Sequence, residues 1–275
     1  DAIASISKVT NSIVENVAPE VELHHIPHAV NDTVFSKIEN TDLVKKFKKE
    51  NSIGVDSKGN KRFVFFWNNR NARRKQSGSL MFWYNDFLDK VGRDKATLIM
   101  HTEPKDPNGQ DLIAIKERLN LDDDQFKISS SKLTIQQLSL LYNSVDCTVN
   151  ISDAEGFGLA TLESLATETP IIVNMTGGLQ EQVTDGTEWF GVGIEPCSKA
   201  LIGSQEVPWI YEDRISKEDF VDAMVRMYEM PKEERLKMGQ KGRQHVLTNY
   251  SMDKYISTWD RVLTDINSKH GSWED

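Results

Sequence analysis

Apolar runs of strand length alternate with apolar stripes at helical spacing through the middle of this chain, and that alternation restricts the fold more than any other feature. Phe63-Val64-Phe65-Phe66-Trp67 is a continuous apolar run, the pattern of a strand buried on both faces. Leu80, Trp83, Phe87, Leu88 and Val91 follow at helical spacing. Residues 96–100 read as a strand, 110–119 as a helix and 126–128 as a short strand. Ile135, Leu138, Leu141, Tyr142 and Val145 mark a further helix, 147–151 a strand, 158–167 a helix and 170–174 a strand. Strands separated by helices in this way form right-handed βαβ units and a parallel sheet.

The flanks read differently. Residues 1–30 suggest a helix followed by an extended segment at 21–29, which Pro27 keeps out of a central strand. A Lys-rich amphipathic stretch covers 36–50, and a polar turn covers 51–60. Beyond about residue 200 the chain is expected to be mainly helical. Ser216 and Asp219 have the spacing of a capping box, with Asp in place of Glu or Gln. Pro231 separates that helix from another at 232–247, and a last helix carries Tyr255, Ile256, Trp259, Val262, Leu263 and Ile266. The fold class expected is α/β: a Rossmann-like parallel sheet flanked by helices, with a helical C-terminal tail.

Composition narrows the function. Lys and Arg number 33 against 42 Asp and Glu over 275 residues, a net charge of −9, which argues against broad nucleic-acid binding. No stretch approaches the apolar length of a membrane span. Two cysteines, Cys147 and Cys197, are too few for a disulfide scaffold, so a reduced, cytoplasmic setting is expected. The chain begins at Asp1 without an initiator Met or a signal core, and reads as a piece of a longer protein. The sequons at Asn31, Asn150, Asn174 and Asn249 are read as unmodified.

In an open parallel sheet, ligands bind beyond the carboxyl ends of the strands. The loop after Trp67 holds Arg70, Arg73, Arg74 and Lys75; from Lys61 to Lys75 there are six basic residues and no acidic one. Such a cluster suits an anion, phosphate above all. A loop after Ile151 runs Ser152-Asp-Ala-Glu155-Gly156-Phe157-Gly158-Leu159 into a helix. Its glycines admit close approach, and the helix start offers free N–H groups and partial positive charge. Glu155 and Glu163 flank that start, and carboxylates accept hydrogen bonds from vicinal diols, so a nucleotide-sugar fits. A third turn, with Gly177 and Gly178, follows the strand at 170–174.

Other signals are weaker. Neither a dinucleotide fingerprint nor a P-loop occurs. His24, His25 and His28 lie in an extended segment without a cysteine or carboxylate cluster, so no metal is expected there. Cys147 reads as inert core, and Met224, Met227 and Met230 as helix packing.

Glu155-Gly-Phe-Gly-Leu-Ala-Thr-Leu-Glu163 resembles the E-x7-E motif of retaining GT-B glycosyltransferases of the group 1, family four type. His25-Ile-Pro-His-Ala-Val-Asn-Asp32 with Phe35 is similar to that family's linker into its C-terminal domain. Arg70 and Lys75 stand at the spacing of its basic pair, and Thr176-Gly-Gly-Leu with Glu181, Asp185 and Gly186 resembles its "GG…E…DG" stretch. The stretches from Met238 to Arg243 and from Tyr250 to Trp259 are similar to its closing helices. Asn69 and Ala29 stand where the family commonly has Gly, and Arg73 and Arg74 add charge.

The resemblance implies roles. Arg70 and Lys75 would clamp the donor diphosphate and, with Glu155 at the sugar hydroxyls, form the catalytic group. Gly156, Phe157, Gly158 and Leu159 would offer backbone N–H groups, Glu163 would bind the ribose, and Gly177 and Gly178 would complete the substrate site. Ser131, Lys132 and Leu133 would face the base. No cofactor or metal is implied beyond a UDP- or GDP-sugar donor. The partition implied is 1–35 as a hinge-proximal helix and linker, 36–247 as the nucleotide-sugar domain, and 248–275 as a helix packing across to an N-terminal domain that binds a glycan or other hydroxyl acceptor. A chain of this extent is expected to bind the donor and transfer poorly. A non-catalytic nucleotide-sugar module and a nucleotide-sugar epimerase on the same fold are the alternatives.

Overall fold

A strand, rather than the expected helix, is the first element. The computed structural model describes residues 2–271; Asp1 and the last four residues of the expected 248–275 tail lie outside it. Strand β1 (Ala2–Ser5) pairs in parallel with β2 (Glu22–His25), and α1 (Lys8–Val17) connects them. The alanines of β1 favour a helix by propensity, but pairing to β2 overrides them. Ser7 fixes the start of α1 by accepting the Thr10 N–H at 3.2 Å. A linker then leads to α2 (Thr41–Glu50), capped by Asn40.

From there the expected alternation holds. β3 (Phe63–Asn68), α3 (Ser77–Val91), β4 (Ala96–His101), α4 (Leu112–Arg118), β5 (Phe126–Ser129), α5 (Ile135–Tyr142), β6 (Cys147–Asn150), α6 (Leu159–Ala166) and β7 (Ile171–Asn174) follow in turn. A short helix α7 (Leu179–Val183) and strand β8 (Gly191–Ile194) extend the series. The six strands β3 to β8 are all parallel, in the order β5-β4-β3-β6-β7-β8. Alternate side chains of β3 enter opposite cores. Phe63, Phe65 and Trp67 meet Tyr84, Phe87 and Phe220 on one face; Val64 and Phe66 meet Tyr142, Leu162 and Leu165 on the other. Each such aromatic contributes roughly 2–3 kcal/mol by burial, so the sheet holds its shape independently of the loops at its edge.

Residues 198–214 depart from the expected helical region. β9 (Ser198–Leu201) and β10 (Tyr211–Arg214) form an antiparallel hairpin. Helices α8 (Lys217–Glu229), α9 (Lys232–Asn249) and α10 (Met252–His270) close the chain. Ser216 caps α8 by accepting the Asp219 N–H at 3.0 Å, while the Asp219 carboxylate takes the Ser216 hydroxyl at 2.6 Å rather than reaching the cap's backbone. On α10 only Val262 is buried, and Lys269 reaches back to Glu22 at 2.6 Å. The tail therefore lies against the β1–α1–β2 unit, with Ile256 and Leu263 exposed. No helix among the described residues is long and apolar enough to cross a membrane.

Candidate active site

The first strand of the sheet, β3, lies between β4 and β6, so the chain reverses its direction of winding there. A crevice opens at such a switch point beyond the carboxyl ends of the strands, and the loops after β3 and β6 form its walls. The loop after β3 ends in a tight 3₁₀ turn, Arg73–Lys75. Lys75 is 7% exposed and its ammonium rests on the Glu155 carboxylate. Burial pulls the Lys75 ammonium below the usual lysine range, against the attraction of Glu155. Arg74 donates to the Ala154 carbonyl at 2.6 Å and returns its own carbonyl to the Asp153 N–H at 2.8 Å. The basic loop and the glycine loop, far apart in sequence, thus meet at one rim.

Helix α6 starts at Gly158 with φ +96°, a left-handed conformation that glycine adopts freely. No side chain caps it, so its first-turn N–H groups face the crevice without an internal acceptor. Gly156 and Leu159 are exposed beside this start, whereas the Phe157 ring is buried against His28 and Tyr250. Phe157 anchors the loop from below. The turn after β7 supports the same loop: the Gly178 N–H donates to the Glu155 carbonyl at 3.3 Å. A Cβ on Gly177 would stand 1.7 Å from that carbonyl oxygen. Gly177 and Gly178 therefore sit beneath the loop as its backbone support.

Glu163 lies one helical stretch further in. The Tyr142 hydroxyl donates to its carboxylate at 2.9 Å, and the Asn68 amide donates to that hydroxyl at 2.9 Å. Burial raises the Glu163 pKa to about 7, with the Tyr142 hydrogen bond opposing the shift. Of the sequence-predicted residues, Lys75, Glu155 and 156–159 come together directly, and Glu163 stands behind them on the same helix.

Arg70 is placed differently. Its guanidinium forks onto Asp106 of the loop after β4, at 2.7 and 3.2 Å, and holds that carboxyl down at about 2. The neighbouring Asn71 is buried and ties the loop to the Gln110 carbonyl at 2.7 Å. Ser131 is exposed after β5, and Leu133 is half-buried against the core face of Val64 and Phe66. Lys61 and Arg62 do not join the cluster counted from the sequence. They precede β3, at the opposite end of the strand, where Arg62 is buried on the Ala96 and Arg93 carbonyls. The histidines also separate: His24 faces Glu22, His25 faces Glu181 and His28 packs on Phe157. Among the described residues no three His, Cys, Asp or Glu side chains converge as a metal would require.

Several residues at the crevice have no strong signal in the sequence. Three neighbouring strands end in asparagine. Asn68 holds Tyr142, Asn150 accepts the Ser152 N–H at 3.2 Å, and Asn174 donates to the Ser152 carbonyl at 2.9 Å. An asparagine closing each apolar run was the available clue, because it ends pairing and ties the loop that follows. The hairpin residues Glu212 and Arg214, both bonded to crevice loops, gave none.

The profile described as glycosyl transferases group 1 matches residues 106–245. A search of curated proteins found no match. Among solved structures, the chain is similar to sucrose-phosphate synthase from Thermosynechococcus elongatus, at 17% identity and a TM-score of 0.75, covering 98% of this chain and 59% of that one. It is similar to the C-terminal domain of a glycosyl transferase group 1 family protein from Francisella tularensis, at 21% identity and 0.60, covering 81% of this chain and 99% of that one. It is also similar to HepE from Anabaena, solved with UDP and glucose, at 12% identity and 0.68, covering 96% of this chain and 62% of that one. At these identities the likeness establishes the fold. The chain spans about 59% of the length of the first of these relatives.

Proposed function

The chain belongs to the group 1 glycosyl transferases, and from that premise we propose that it grips the nucleoside diphosphate of a sugar donor for transfer to an acceptor hydroxyl with retention of configuration. Its fold is that of the C-terminal half of a GT-B enzyme. The observation that carries the reading is the meeting of Lys75 and Glu155 beside the uncapped start of α6. A diphosphate in the crevice would receive the α6 N–H groups and the Lys75 ammonium, while Glu155 accepts from hydroxyls of the sugar. As the bond from the sugar's anomeric carbon to phosphate breaks, its electron pair stays on the phosphate. Preorganised cations and N–H dipoles stabilise charge that develops in this way. Lys75 is in place for that role; Arg70 would join it by leaving Asp106. With these cations present, we assign no divalent ion to the step.

Glu163 would accept from the ribose diol, and 131–133 would border the base. Retention is supported by the E-x7-E resemblance of Glu155 and Glu163. The two free cysteines, Cys147 and Cys197, fit a cytoplasmic setting. UDP is the first nucleotide to test, since the Anabaena neighbour was solved with it. Calorimetry of this chain with UDP, GDP and their sugars should show one to bind. Turnover by a longer protein with its acceptor domain should give a product whose anomeric configuration, read by NMR, matches the donor's. Absence of binding by every nucleotide, or an inverted product, would overturn the reading.

A further inference from the structure

The β9–β10 hairpin reaches the crevice through one strand. Glu212 on β10 is 2% exposed, and its carboxylate forks onto the Arg73 guanidinium at 2.6 and 3.0 Å. Arg214, two residues on, donates to Glu212 at 2.7 Å and to Asp153 at 2.5 Å. Asp153 is itself buried, and it also receives the Gln76 amide. Between these two residues, the Asp213 N–H donates to the Asp153 carbonyl at 2.7 Å, and its carboxylate accepts the Thr176 hydroxyl at 2.7 Å. One strand thus touches the loops after β3, β6 and β7, the three that build the site.

We propose that Glu212 and Arg214 are positioning residues for the donor diphosphate, acting through Arg73 and Asp153 to hold the Arg73–Lys75 turn against the loop of Glu155. The inference rests on the donor reading given above. The turn carries three consecutive cations, and like charges at that spacing repel. Glu212 answers that repulsion at Arg73, outside the contact between Lys75 and Glu155, and Arg214 couples the same carboxylate to the Glu155 loop. A buried ion pair adds little net stability over apolar groups of equal volume, so what this network supplies is geometry. With the charge of Glu212 removed, Arg73 is released and the turn spreads, drawing Lys75 away from the diphosphate. The apolar cores on either side of the sheet do not involve these residues.

The test compares Glu212→Gln with the wild-type chain by calorimetry, using UDP against UMP, or GDP against GMP if the wild type prefers guanine. The expected result is an affinity for the diphosphate about tenfold weaker, with the monophosphate changed by less than about twofold, the scale of coupling within one contact network. The melting temperature should stay within a few degrees, because the guanidiniums left without the charge, unlike the buried Lys75, reach solvent: Arg73 is 56% and Arg214 31% exposed. General loosening of the loops would weaken both nucleotides alike, and that result overturns the proposal, as does unchanged diphosphate binding. Arg214→Gln, whose side chain is more exposed, is judged by the same split and decides the matter if Glu212→Gln fails to fold. A wild-type chain that binds no nucleotide overturns the donor reading and this inference with it; a wild type that binds with no split in the variants overturns this inference alone.

Discussion

The Lys75 ammonium rests on the Glu155 carboxylate across 80 residues of sequence, and both side chains are about nine-tenths buried. A buried pair of this kind makes each partner costly to lose alone. Glu155→Ala leaves an ammonium without its counter-charge and should destabilise the chain by about 3 kcal/mol. The double variant Glu155→Ala, Lys75→Ala removes both charges and should be more stable than Glu155→Ala alone, while binding nucleoside diphosphate worst of all. Chemical denaturation and calorimetry on the same three proteins read both effects. A double variant less stable than Glu155→Ala would contradict the pairing.

Glu163 introduces a pH dependence. Its pKa is raised to about 7 by burial, so between the ordinary glutamate range and pH 7 the folded chain holds a proton that the unfolded chain has lost. Stability contributed by this group is therefore present at low pH and is lost as pH rises through about 7. Ribose binding runs the other way, because a diol needs the carboxylate as acceptor. Nucleotide affinity should rise as pH passes from 6 to 8, and Glu163→Gln should flatten that rise. Tyr142→Phe removes a hydrogen bond that lowers the pKa and should move the midpoint upward. A pH profile identical in wild type and Glu163→Gln would remove Glu163 from the binding site.

Arg70, itself largely in solvent, is held by Asp106, whose side chain is only 10% exposed. If Arg70 serves the diphosphate, Asp106 competes with the ligand for it. Asp106→Asn should then tighten UDP or GDP binding, by about threefold for a pair whose guanidinium lies in solvent, and Arg70→Ala should weaken it. Weaker binding by Asp106→Asn would mean that Asp106 presents Arg70 rather than withholds it.

The strands and helices from β3 to β7 were legible because the apolar runs, the short edge strand β5 apart, are long enough to be buried on both faces and the helices between them carry apolar stripes. β8, with two glycines in four residues, and the polar strands β9 and β10 lack any such pattern. They exist because tertiary partners complete them. β1 reads as helix by its alanines until β2 pairs with it. In the site, Lys75, Glu155 and the glycine loop were legible because strand–loop–helix context places them at one edge. Asp106, Asp153, Glu212 and Arg214 were not, since nothing local marks a charge whose partner arrives from another loop.

The support beneath the Glu155 loop predicts a further effect. A methyl group on Gly177 would overlap the Glu155 carbonyl, at a residue with φ +49°. Gly177→Ala should cost about 2 kcal/mol of stability through this strain, and it should weaken diphosphate binding because the loop must lift. Gly186→Ala, at φ +95° with open space around it, makes the comparison: it should strain its own backbone and leave nucleotide binding as in the wild type. Equal loss of nucleotide affinity in both variants would contradict the support assigned to Gly177.

The most direct measurement is a crystal structure of this chain with UDP or GDP bound. The account predicts the diphosphate in the crevice between β3 and β6, with phosphate oxygens within hydrogen-bond distance of Lys75 Nζ and of first-turn N–H groups of α6. A nucleotide seated elsewhere, for instance in the cavity of about 300 Å³ bordered by His25, Glu181 and Tyr255, with Lys75 still closed on Glu155, would contradict it.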